Sequence, residues 1–233
     1  MILFEDKYIK IVSRQIQSDN SSKKIMLSFT GIGHALGGLN VQESEFFGAG
    51  RSFDNIICIT DKTRSWGNKL DFGIINKVIA PLVGGRAVYS IGNSMGGFNA
   101  IVASKFMEIH TSISFVPQFS VCRTAVPWED RWLEFTSRIE EFHIRTARDG
   151  MNCRTNYKIF SSGVGNDAKH ASLFPVAENV EHYLFAEATH SLAQTLKEDG
   201  HLMPLLNVCF GDSAPLPDGL GYELISPANT GAT

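Results

Sequence analysis

Three residues far apart in this chain could share the work of acyl transfer: Ser94, Asp167 and His190. Ser94 lies in Val88-Tyr89-Ser90-Ile91-Gly92-Asn93-Ser94-Met95-Gly96-Gly97, an apolar run that passes through Gly-x-Ser-x-Gly into a helical pattern. A serine in a sharp strand-to-helix turn projects its hydroxyl where a base and a substrate can both reach it. The flanking positions must be small, because strand and helix approach closely there. A Gly-rich turn with a capping serine would read the same way over five residues. A hydroxyl becomes a useful nucleophile only when a base takes its proton, and the base works best when a third group orients it. A histidine and a carboxylate are therefore needed at the same end of the fold.

The elements that would position them alternate. Phe4–Ser13 and Lys24–Thr30 read as extended stretches, and Asn55–Thr60 is a further apolar run. Short continuous runs of this kind fit strands buried on both faces, as in a parallel sheet. Asp71–Val83 places Phe72, Ile75, Val78, Ile79 and Leu82 at helical spacing and stops at Gly84-Gly85. Ala87–Ile91 is a strand, Met95 to Met107 a helix, and Ser112–Val116 a strand ending at Pro117-Gln118. Residues 119–156 break the rhythm and read as an excursion or small cap with a polar, Arg- and Glu-rich helix. Tyr157–Ser161 and Val180–Phe185 return as strands, a last helical stretch starts near His190, and the Pro- and Gly-rich tail 211–233 reads as irregular. The expectation is one α/β domain over 1–210, with helices on both faces of a mostly parallel sheet. Functional groups gather at the carboxyl ends of such strands. Ser94, Asp167 and His190 each follow one.

In that arrangement the chain resembles the α/β-hydrolase family over roughly Lys24 to Phe210. The order Ser94, Asp167, His190 matches the family's nucleophile, acid and base, the last two following the final two strands. The resemblance implies an oxyanion hole of backbone N–H groups, one from Met95 and the other from Gly31 or Ile32 in the loop after strand Ile25–Phe29. That loop, Thr30-Gly31-Ile32-Gly33-His34, is not of the His-Gly-Gly-Gly type. His34 could face the site or be an ordinary loop residue. The Asp61–Asn68 loop corresponds to a pocket-shaping loop in many family members, with Trp66 as part of a wall or packed on the next helix.

Other histidines and carboxylates fit less well. His170 is only three residues beyond Asp167 and reads as partly exposed at a helix start. His201 is in the last helical stretch, His182 is inside a strand, and His110 and His143 read as surface groups. Glu187 is too close to His190, and Asp149 belongs to the excursion. Within the excursion, Trp128, Arg131 and Trp132 could receive a polar substrate such as an acylated sugar, or could simply anchor a short helix.

With 43% hydrophobic and 19% charged residues and a formal charge of -3, the chain is globular and a poor polyanion binder. No nucleic-acid partner and no membrane insertion are expected, nor are a metal or cofactor. The scattered Cys58, Cys122, Cys153 and Cys209 read as free thiols. The N-terminus lacks a signal-peptide pattern, so the expected location is cytoplasmic. The expected function is a serine hydrolase of the carboxylesterase or deacylase type, acting on a small-molecule acyl substrate. An acyltransferase or thioesterase would share every residue, and a non-catalytic interaction protein could keep the fold. Oligomeric state is open, homo-oligomers included.

Overall fold

The computed structural model describes residues 1–15, 23–33, 42–53, 55–211 and 216–227. Among these, nine strands form one sheet: β1 (Ile2–Glu5), β2 (Ile9–Gln15), β3 (Lys24–Phe29), β4 (Asn55–Asp61), β5 (Ala87–Asn93), β6 (Thr111–Phe115), β7 (Asn156–Ser162), β8 (Val180–Phe185) and β9 (Tyr222–Ile225). Their order is β1-β2-β4-β3-β5-β6-β7-β8-β9. β3 to β8 are parallel neighbours, while β1, β2 and β9 run antiparallel at the two margins.

Strand alternation divides the core in two. Ile25, Leu27, Phe29, Ile57 and Ile59 face one layer. Met26, Ile56, Cys58, Ile91, Ile113, Phe115 and Phe160 face the other. The first layer is covered by α1 (Phe72–Val83) and α2 (Met95–Val102), the second by α5 (Leu192–Glu198) and α6 (Leu202–Cys209). α1 follows the expected limits: the Asp71 side chain accepts the Ile74 N–H at 2.9 Å, and Gly84 ends the helix in the left-handed region.

Several expectations change. The first extended stretch is a hairpin, β1 and β2. The last helix is two, α5 and α6, separated at Gly200, whose φ is 77°. The tail is not wholly irregular, because β9 pairs with β8 from His182↔Ile225 to Phe185↔Tyr222. The excursion holds no long polar helix. Its regular parts are the four-residue α3 (Leu133–Thr136) and a 3-10 turn at Ala147–Gly150, where Thr146 and Asp149 form a capping box. The four cysteines are free thiols, Cys153 exposed and the others buried.

The register brings the strand ends together. Phe29 pairs with Gly92, Asn93 with Phe115, Phe115 with Phe160, and Ser162 with Phe185. The loops leaving β3, β5, β6, β7 and β8 therefore open at one edge.

Candidate active site

Ser94 is built by its neighbours' lack of side chains. Its backbone has φ 55° and ψ −120°, an unusual conformation for a residue with a Cβ. A Cβ on Gly92 would come within 2.2 Å of the Gly96 backbone, and one on Gly96 within 2.3 Å of the Phe29 carbonyl oxygen. These separations are too short for any other residue, so the two glycines let β5 fold back into α2 against the end of β3. The Ser94 N–H donates to the Phe115 carbonyl at 2.9 Å, which ties the turn to β6.

The loops after β7 and β8 are tied to each other. The Gly163 N–H donates to the Phe185 carbonyl at 2.8 Å, and the Ser162 hydroxyl donates to the Ala188 carbonyl at 2.6 Å. α4 (Gly165–Ala171) starts there and carries Asp167 in its first turn. His190 stands between β8 and α5. Its Nε2 lies 2.9 Å from Ser94 Oγ and its Nδ1 lies 2.8 Å from Asp167 Oδ2. An ionised carboxylate only accepts, so Nδ1 carries the proton and the Nε2 lone pair faces the serine hydroxyl. Ser94 is 4% exposed, whereas the His190 ring is 33% exposed. Burial would raise the Asp167 pKa, but the His190 hydrogen bond, the His190 charge and the Arg131 charge outweigh it. The carboxyl is held below its usual range.

Gln118, just past β6, was not singled out by its sequence. It is fully buried, and its Nε2 donates to Ser94 Oγ at 3.0 Å. Its Oε1 accepts the Trp66 indole N–H at 3.2 Å and lies 3.4 Å from Ser94 Oγ. An indole N–H can only donate, so Trp66 fixes the amide with its nitrogen toward the serine. Trp66 is thus no exposed pocket wall. It is fully buried, and its indole N–H is spent on Gln118. Asp61 holds its loop by accepting from Thr63, Ser65 and the Gly67 N–H.

Arg131, expected as a substrate cation, is committed internally. Its NH1 donates to Asp167 Oδ1 at 2.8 Å, and its Nε and NH2 both bond Glu129. His170 is not partly exposed but 1% exposed, with Nε2 2.7 Å from Glu129 Oε2. Trp128 is half-buried against the His170 ring, 4.7 Å between centroids, and Trp132 is partly buried against the first core layer.

The glycine loop after β3 reaches the start of α2, with Gly31 N 3.1 Å from a Cβ placed on Gly96. The Gly31 N–H is already engaged, donating to Glu45 Oε1 at 2.9 Å. Burial pushes the Glu45 carboxyl up to about 7. Ile32 is buried beside it, Met95 is the first residue of α2, and His34 lies outside the described residues. Of the remaining histidines, His182 is buried in β8, His110 and His143 are exposed, and His201 precedes α6. Glu187 is exposed and Asp149 caps the 3-10 turn. Among the described residues, no three His, Cys, Asp or Glu side chains form a metal-holding group, and no helix is long and apolar enough to cross a membrane.

No family model matches the chain, and no curated protein matches it significantly. Solved structures do. The capsule O-acetyltransferase of Neisseria meningitidis serogroup A superposes with a TM-score of 0.58 at 12% identity, over 86% of this chain and 93% of that one. An α/β serine hydrolase without a lid from Xanthomonas campestris gives 0.54 at 10% identity, over 89% and 91%. A Pyrococcus furiosus esterase gives 0.51 at 13% identity, over 82% and 83%. At these identities the likeness speaks for the architecture alone. The chain has the α/β-hydrolase fold.

Proposed function

We propose that this protein is a serine hydrolase that cleaves a carboxylic ester through an acyl-enzyme. The observation that carries the reading is the continuous path Ser94 Oγ–His190 Nε2 at 2.9 Å and His190 Nδ1–Asp167 Oδ2 at 2.8 Å. Ser94 Oγ attacks the acyl carbon while His190 Nε2 takes its proton. The resulting imidazolium is stabilised by Asp167, whose carboxyl stays ionised. His190 then gives the proton to the leaving alkoxide, and the alcohol departs. Water, deprotonated by His190, attacks the acyl-enzyme and releases the carboxylic acid, returning the proton to Ser94. Gln118 aims the serine proton: with its N–H donated to one Oγ lone pair, the hydroxyl hydrogen points to His190. The oxyanion would be held by the Met95 and Ile32 N–H groups, since Gly31 already serves Glu45.

We propose a small or polar acyl ester as substrate. In support, the excursion interleaves Trp128 and Trp132 with charged residues, and its regular parts are the short α3 and one 3-10 turn, neither of them an apolar lid helix. An acylated sugar fits this description, and the Neisseria meningitidis neighbour is a capsule O-acetyltransferase. An acyltransferase would differ only in the acceptor that replaces water. Turnover of short-chain p-nitrophenyl esters by the wild-type protein, lost by at least about a thousandfold in Ser94→Ala, is expected. Equal turnover by the two proteins would reject the proposal.

A further inference from the structure

We infer that Arg131 is a positioning residue for the acid of the triad: gripped by Glu129, its guanidinium holds Asp167 through Oδ1 and leaves Oδ2 to His190. The inference rests on the triad reading above. It also gives the excursion after β6 a task other than covering substrate, namely bracing the catalytic carboxylate.

The bracing is built outward from the buried side. The Phe119 N–H donates to His170 Nδ1 at 3.2 Å, so that nitrogen has no proton. His170 is therefore the neutral tautomer with its proton on Nε2, which donates to Glu129 Oε2 at 2.7 Å. Burial also lowers the His170 pKa despite the neighbouring carboxylate. Glu129 is 1% exposed in its side chain and meets Arg131 as a fork, Nε at 3.0 and 3.1 Å and NH2 at 2.6 Å. It also accepts the Arg131 backbone N–H at 2.8 Å. A lysine could not make this planar pairing. With the guanidinium fixed on one side by Glu129, its remaining NH1 reaches Asp167 Oδ1 at 2.8 Å. Neither oxygen of Asp167 is then free to rotate away from its donor.

The charges make a second, independent consequence. Asp167, Glu129, the Arg131 guanidinium and the neutral His170 imidazole together carry a single negative charge. Lys169 also stands near the cluster, with its ammonium 5.1 Å from the Trp128 ring that packs on His170. Protonating His190 neutralises the cluster. Removing Arg131 would leave two negative charges facing His190 and raise its proton affinity. Removing the charge of Glu129 would leave none and lower it. A purely structural brace would not produce shifts of opposite sign.

The test is the rate of Ser94 modification by a fluorophosphonate probe as a function of pH, with melting temperature recorded for each protein. The acid limb of that profile reports deprotonation of the base. For Arg131→Met, the acid limb should move up by roughly half a unit to one unit and the plateau rate fall roughly ten- to a hundredfold. Glu129→Gln should move the limb down, and Arg131→Lys should keep the limb while lowering the plateau. If Arg131→Met does not melt cooperatively, the direction of the Glu129→Gln shift and the unmoved limb of Arg131→Lys decide. Folded variants with an unmoved limb and a wild-type plateau would overturn the role of Arg131 and leave the triad reading standing. Failure of the wild-type protein to react at any pH would overturn the triad reading and this inference with it.

Discussion

At Ser94 the side chain and the backbone are constrained from opposite directions. Gln118 and His190 fix the hydroxyl, while Gly92 and Gly96 admit the turn that presents it. Gly92→Ala should destabilise the protein by about 3 kcal/mol in chemical denaturation, because its Cβ would meet backbone at 2.2 Å and not a side chain that can move. Gln118→Leu should slow Ser94 modification and lower stability by about 1–3 kcal/mol, since it strands the buried Trp66 N–H. An unchanged melting transition would show that Trp66 finds another acceptor. Ser94, Asp167 and His190 were legible in the sequence because each follows a strand end in the expected order. Gln118, Glu129 and His170 were not, because their parts come from contacts with residues far away in the chain. Arg131 was legible as a type but misread in use: nothing local shows that Glu129 and Asp167 converge on it.

At the scale of elements, the sheet's margins carry what the alternation pattern missed. β9 lies in a Pro- and Gly-rich tail, yet Tyr222 stacks edge-on against Tyr183, 5.1 Å between centroids, and tilts against Phe185 at 5.9 Å. Truncation after residue 220 should uncover that edge and reduce stability by about 2 kcal/mol, measured by denaturation. β7 and β8 supply a pH signature of their own. His182 is 2% exposed, its Nε2 lies 2.8 Å from the Ser161 hydroxyl, and burial lowers its pKa from 6.5 to about 4. The unfolded chain therefore binds this proton more readily than the folded one. Stability should fall as pH drops from about 6.5 to about 4, by about 3 kcal/mol from this group. His182→Asn should remove that part of the slope while leaving any loss below pH 4. A wild-type slope in the variant would assign the effect to another group. The short elements of the excursion were beyond sequence reading for a related reason. α3 has four residues, too few for a 3.6-residue period to show, and the region is organised by Glu129, Arg131 and the Asp149 cap instead of by a repeating apolar face.

Across the whole molecule, the two core layers explain why the fold itself was readable. Strands buried on both faces need continuous apolar runs, and these stand out against the polar loops between them. Their common direction forces the five loops that carry Ser94, Gln118, Asp167, His190 and the Gly31 turn to one edge of the sheet. The substrate was not readable for the complementary reason. The groups that would meet it belong to loops whose shape is set by long-range packing, and two of the four expected contacts, Trp66 and Arg131, spend their donors on Gln118 and Asp167 instead. The proposed function depends first on activation of Ser94 by His190 and Asp167. Treating the folded protein with a fluorophosphonate and locating the adduct by peptide mass spectrometry tests it most directly. One adduct is expected, on Ser94, formed at least about a hundredfold more slowly in His190→Ala. Folded wild-type protein that stays unmodified at Ser94, or that reacts equally fast without His190, would contradict it.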